Sequence, residues 1–173
     1  GTLKLGVPPE VLFIERCVQF LKPGKGKLGI VLPDGILGNP DAEYIRYWIL
    51  SNCQVLASID LPVETFLPRT GTQTSVLILR RKSEQEKLAE SLSGEPVSYQ
   101  IFMAIAKFVG KDRRGNIIYK KDQEGREIVN RELYELHKDS TIIDFSPSVE
   151  PNGRIVNDDL PAIASTFIQE IGE

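Results

Sequence analysis

Two apolar runs close together dominate the hydrophobic pattern of the chain: Val55, Leu56, Ala57, Ile59 and Leu61 form one, and Val76, Leu77, Ile78 and Leu79 the other. Neither alternates cleanly between apolar and polar, which fits strands covered by helices on both faces. Their connection, Pro62 to Thr72, is too long for a tight hairpin and carries hydroxyls, one arginine, one phenylalanine and a glycine. That is a composition suited to meeting a ligand at a sheet edge. Upstream the period changes. Leu12, Ile14, Val18 and Leu21 recur at helical spacing, opened by Pro8-Pro9-Glu10 and stopped by Lys22-Pro23-Gly24. Lys27 to Leu32 reads as a strand followed by a Pro33-Asp34-Gly35 turn. Asn39 and Pro40 open a second helix whose buried side uses Ile45, Trp48, Ile49 and Tyr44. Helix and strand therefore alternate, predicting an α/β layered sheet with parallel strands, and the strand Gln73 to Leu79 returns antiparallel after its loop. Three strands leave an exposed edge, which predicts partners in a preceding half of the polypeptide or in another chain.

Beyond Leu79 the pattern weakens. Arg80 to Ser93 is charged and polar, as in a solvated connection or a short surface helix. Tyr99 to Ala106 is apolar enough for another strand or a strand-to-helix passage. Lys111 to Asn116 and Asp122 to Gly125 read as turns, with a short strand at Ile117-Ile118-Tyr119 between them. Asn130 can cap a short helix reaching His137, and Leu160, Ile163, Ala164, Phe167 and Ile171 place a firmer helix over Asp158 to Ile171. No internal repeat is apparent.

At 173 residues the chain suits one main domain with appendages. Its net charge of −3 excludes a globally basic nucleic-acid binder and leaves local patches: Arg80-Arg81-Lys82, Lys111 with Arg113-Arg114, and Lys120-Lys121. Cys17 and Cys53 have no partner motif, so free thiols in a reducing cytoplasm are expected. With no apolar run of about 18 residues and no leader, a soluble protein without a membrane span is expected. His137 is the single histidine, which excludes a histidine-based triad or a multi-histidine metal site within this chain, and the cysteines give no zinc ligand set. Asp34 and Asp60 stand at strand ends, where ligand sites of α/β sheets gather, although turn chemistry explains Asp34 as well. No glycine-rich cradle follows a strand, so no nucleotide-type cofactor is held by a first βα turn. Lys111, Arg113 and Arg114 are either a solvated loop or phosphate contacts that position without reading sequence. Phe66 either pins its loop to the core or packs against a base turned out of a duplex.

Leu21-Lys22-Pro23-Gly24, Leu28 to Gly35, Ile59-Asp60-Leu61-Pro62, Phe66, Thr70 to Thr74 and Val76 to Leu79 resemble, in order and spacing, the C-terminal half of the DNA adenine-N6 methylases that form the modification subunit of type I restriction systems. Phe102-Met103-Ala104, Val109 to Asn116 and Asp158 to Pro161 are similar to that family too. The resemblance implies the C-terminal part of a Rossmann-like, S-adenosylmethionine-dependent methyltransferase sheet over residues 1–82. An α+β extension over 83–173 would follow it. It further implies methylation of adenine N6 in double-stranded DNA after base flipping, with specificity and restriction subunits and the missing N-terminal half of the methylase as partners. The cofactor glycines and the Asn-Pro-Pro-aromatic tetrapeptide of the family do not occur here, so no catalytic and no cofactor-binding residue is assigned to this chain. The S-adenosylmethionine belongs to the full-length parent. Asn39-Pro40-Asp41-Ala42 lacks the second proline and the aromatic, and it begins a helix after the wrong strand. Carried over by position, Phe66, Arg69, Thr70, Gly71 and Thr74 are the candidates nearest the target base, while Gln73 stands where many relatives have proline. A non-catalytic docking or DNA-binding scaffold is the alternative; a small metabolic enzyme would need the cofactor loop that is missing.

Overall fold

Pro9 at the first turn and Glu10 at the positive end of the dipole open α1 (Pro9–Phe20), which turns Val11, Ile14 and Val18 inward. The chain then enters β1 (Lys27–Pro33). Pro33-Asp34-Gly35 is not the simple turn expected from its composition but the opening of a short helix, α2 (Asp34–Gly38), which buries Ile36. The Asp34 carboxylate accepts from the Ser75 hydroxyl at 2.9 Å instead of closing a turn on itself. Asn39 leads a 3-10 turn with Pro40 in its first position, and α3 (Glu43–Asn52) follows, burying Ile45 and Ile49 with Trp48 against them. Tyr44 is half exposed at 45%, because Ile45 and Ile49 already fill the inward stripe. Next come β2 (Cys53–Leu61) and β3 (Thr74–Arg81), then α4 (Glu84–Ser93) and β4 (Phe102–Ile105).

The four strands form one sheet in the order β1-β3-β2-β4. β3 runs antiparallel to β1 in a register from Lys27 opposite Arg80 to Pro33 opposite Thr74, as the returning strand requires. Tyr99 to Ala106 therefore supplies a fourth strand rather than a passage. The structure, a computed structural model, describes residues 6–137 and 148–171. It divides into two units, Gly1–Ile59 with Thr74–Met103 and Asp60–Gln73 with Ala104–Glu173.

In the first unit the core is Val11, Ile14 and Val18 of α1 against Leu32, Leu77 and Leu79 of the sheet and Ile36, Ile45, Ile49 and Cys53. Each such side chain contributes about 1.5–3 kcal/mol on leaving water. Both cysteines are free, Cys17 half-buried and Cys53 buried. Arg80-Arg81-Lys82 is not the solvated connection suggested by its charge. Arg80 donates to Glu86 at 2.7 Å, to Gln54 at 2.7 Å and to the Gly24 carbonyl at 3.0 Å. Arg81 donates to the Gln19 and Leu21 carbonyls at the end of α1, at 3.0 and 2.8 Å. Lys82 is buried, with Nζ 2.7 Å from the Leu50 carbonyl in the last turn of α3 and 2.7 Å from Glu90. Two successive cations thus satisfy the orphan carbonyls of two helix ends. The same charged stretch supplies a capping box for α4: Ser83 Oγ accepts from the Glu86 amide at 3.2 Å, and Glu86 accepts from the Ser83 amide at 2.7 Å.

The second unit contains a repeat that composition did not reveal. Asp112-x-x-Gly115-Asn116, Asp122-x-x-Gly125-Arg126 and Glu150-x-x-Gly153-Arg154 are three turns of one design. Each has a bridge across its base, Lys111 with Ile117, Lys121 with Glu127 and Val149 with Ile155. In each the glycine takes φ between +82° and +88°, a left-handed conformation costly for residues with a Cβ. Further bridges, Tyr119 with Val156 and Val129 with Arg154, join these arms into a small meander. At its centre Tyr119 donates to Glu150 at 2.6 Å while the Arg154 guanidinium lies 4.0 Å over the Tyr119 ring. Asn130 caps α5 (Arg131–His137) through the Leu133 amide at 3.0 Å. The His137 side chain lies outside the described part. Asp158 Oδ1 accepts from the Leu160 amide at 2.9 Å at the head of α6 (Leu160–Ile171), whose apolar stripe is half-buried. No helix among the described residues is long and apolar enough to cross a membrane.

Candidate nucleic-acid interface

The loop after β2 is held by its own residues. Thr65 closes a 3-10 turn on the Pro62 carbonyl, its amide at 2.9 Å and its hydroxyl at 2.7 Å. The Arg69 and Thr70 amides then both donate to the Phe66 carbonyl, at 3.0 and 3.2 Å. Thr70 and Thr72 share a hydroxyl contact of 2.9 Å across Gly71. Gln73 shuts the loop at its base: Nε2 donates to the Leu61 carbonyl at 2.7 Å and to Asp60 at 3.3 Å. A proline at position 73 would have no amide side chain to do this, so here the closure is made by a side chain. Phe66, Arg69, Thr70 and Gly71 are all exposed on this loop. Thr74, the remaining candidate, is different. It begins β3 in the first unit, is 7% exposed, and its Oγ1 is buried with no partner among the described residues.

The first turn of the meander stands in the same unit as the loop. Asp112 organises it, its Oδ1 accepting from the Arg114 and Asn116 amides at 2.8 and 2.9 Å and its Oδ2 from the Asn116 side chain at 2.9 Å. These bonds, the Asn116 side chain foremost, hold the Asp112 carboxyl below its usual range and keep it charged. Arg113 Nε donates to Glu64 Oε1 of the loop at 3.1 Å. The Glu64 carboxyl is held below its usual range first by its own backbone amide and then by Arg113. A Cβ on Gly115 would point at the Pro68 ring, 3.7 Å away. The structure therefore brings together two groups far apart in sequence: Phe66, Arg69, Thr70 and Gly71 on the loop, with Lys111, Arg113 and Arg114 on the turn. Arg113 and Arg114 are exposed and Lys111 is half exposed.

A sequence profile described as N-6 DNA Methylase matches residues 8–149. The chain belongs to the N-6 DNA methylase family. Among solved structures it is similar to a protein of Listeria monocytogenes described as a class I S-adenosylmethionine-dependent methyltransferase. The identity is 26% over 56% of this chain and 26% of that one, with a TM-score of 0.41. It is also similar to a component of an assembled type I restriction-modification system, at 28% identity over 43% of this chain and 16% of that one and a TM-score of 0.38. A third likeness is to a protein of Vibrio vulnificus YJ016 described as a modification subunit of a type I restriction enzyme, at 16% identity over 93% of this chain and 35% of that one and a TM-score of 0.39. This chain thus spans at most about a third of the length of these proteins. Among curated proteins no match is found.

The residues described here do not by themselves fit the methyl donor that the family implies. β1 passes directly from Pro33 into α2 with no glycine cradle between them. The hollow beside that junction, about 240 Å³, is lined by Pro8, Val11, Ile36 and Ala42 with the acids Glu10 and Asp41. It is smaller than an ordinary cofactor cleft of about 300–1,000 Å³. Asn39 serves α3 as a backbone element, its carbonyl accepting from Arg46 at 2.8 Å. No group of three or more His, Cys, Asp and Glu among the described residues could hold a metal ion. Sequence reading gave Glu64 no role and noted Gln73 only as a departure from proline, yet both side chains help to hold the loop. The signal that could have found the turn's organiser was the recurrence of Asp-x-x-Gly ten residues apart, Asp112 and then Asp122.

Proposed function

We propose that this chain is the second half of the catalytic domain of a type I modification methylase, which as a whole transfers a methyl group from S-adenosylmethionine to adenine N6 in double-stranded DNA. Residues 1–82 carry β1, β2 and β3 of the methyltransferase sheet, and residues 83–173, which add β4, are an extension that meets DNA and the specificity and restriction subunits. The parent works in the cytoplasm. The observation that carries this reading is the Glu64–Arg113 contact, which sets an aromatic, hydroxyl-bearing loop and a basic turn side by side. Phe66, with Arg69, Thr70 and Gly71 on the same loop, offers the flat apolar surface that an extruded base needs. Lys111, Arg113 and Arg114 take backbone phosphates, which fix register without reading sequence. The donor glycines and the Asn-Pro-Pro-aromatic tetrapeptide belong to the preceding half, so the chain alone transfers nothing. Incubating it with labelled S-adenosylmethionine and DNA tests this directly, and measurable methylation by the isolated chain refutes the reading.

A second reading, docking without catalysis, is favoured by one feature of the first unit. A groove of about 660 Å³ between α3, α4 and the segment leading to β4 exposes Tyr47, Leu50 and Val97. A full-length gene product with no Asn-Pro-Pro-Phe or Asn-Pro-Pro-Tyr upstream of Gly1 would decide for it.

A further inference from the structure

The first two turns of the meander provide an internal comparison. Both use an aspartate to hold the amides two and four residues on, at 2.8 to 2.9 Å, and both carry a left-handed glycine. Their middle residues differ in charge: two cations, Arg113-Arg114, in the first, and a neutral residue with an anion, Gln123-Glu124, in the second. Building the turn therefore does not require arginine. In the second turn the nearby cation is consumed locally, since Arg126 pairs with both Asp122 and Glu124. In the first, Arg113 reaches out of its own turn to Glu64, which lies in the 3-10 turn immediately before Phe66. Only Nε makes that contact; the Arg113 side chain is 77% exposed. A guanidinium presents five donors in a planar fork, so engaging Nε leaves the terminal amino groups for an acceptor on the outer side.

We infer that Arg113 is a positioning residue that couples phosphate engagement to presentation of Phe66: its Nε stays on Glu64 while its terminal amino groups receive a backbone phosphate of the nucleic acid. The inference rests on the reading of this loop as base-facing, and it gives the loop a reason to be ordered when DNA is bound. The Glu64 carboxyl is held below its usual range by its own backbone amide first and by Arg113 second. Lysine could supply the charge but not two donor sites pointing in different directions.

The test uses the complete methylase with its partner subunits and a duplex carrying 2-aminopurine at the target adenine, whose fluorescence rises on extrusion. Arg113→Lys should keep the affinity and its salt dependence close to wild type while the fluorescence change falls about two- to fivefold, the range an exposed ion pair supports. Glu64→Gln should lower the fluorescence change by a similar factor without weakening DNA binding. With Arg113→Gln, the double variant should be no worse than the worse single variant, since both act through one contact. Unchanged fluorescence in Arg113→Lys and Glu64→Gln, or additive losses in the double variant, overturns the coupling and leaves the base-facing loop standing. A wild-type complex that binds DNA with no fluorescence change that depends on Phe66 overturns the reading of the loop, and the coupling with it.

Discussion

Lys82 shows how far a side chain's role can lie from its local composition. In a run of cations it reads as solvated, yet it is buried and bonded to Glu90 and the end of α3. Removing one partner leaves the other as an uncompensated buried charge. Lys82→Ala is therefore expected to lose about 3 kcal/mol in urea unfolding, whereas Lys82→Met with Glu90→Leu should recover most of it. Glu86 makes a pH prediction. Arg80 first, then the Ser83 amide, hold its carboxyl down at about 2 against an ordinary 4.5. A depressed folded-state value means the stabilisation is complete above pH about 4.5 and is lost as the pH falls toward about 2. Thermal melts of Glu86→Gln should converge on wild type over that window and lie below it at neutral pH. Cys53 is the opposite case, burial pushing its thiol up to about 11. Native alkylation followed by mass spectrometry should label Cys17 and spare Cys53 until the chain is unfolded.

At the scale of elements, the helices and central strands were legible because their stripes and caps are local. Pro9 and Glu10 open α1, and the apolar runs mark β2 and β3. The meander was not legible as a repeat, since its arms are held by isolated bridges between residues far apart, such as Tyr119 with Val156, and carry no apolar period. Its glycines separate two costs. Gly125 has φ +82° and open space around a Cβ, so Gly125→Ala should cost about 1 kcal/mol of backbone strain. Gly153 has φ +83° and a Cβ there would meet the Arg131 backbone at 3.0 Å, so Gly153→Ala should cost more than Gly125→Ala by chemical denaturation.

For the whole molecule, a net charge of −3 means that any DNA binding must come from a local arrangement of cations. If Arg114 takes a phosphate, Arg114→Ala in the complete methylase should reduce the slope of log affinity against log salt by about 0.9. Arg126→Ala should leave that slope unchanged, because Arg126 is already neutralised by Asp122 and Glu124. By itself the sequence determined the α/β alternation, the antiparallel return of β3 and the family, because apolar period, caps and motif spacing are properties of neighbours along the chain. Only the tertiary structure decided that Arg80 to Lys82 turn inward, that Gln73 latches the loop, and that Arg113 reaches Glu64 across 49 positions. Those outcomes depend on which side chains fold to within about 3 Å of one another, a distance that spacing along the chain does not encode.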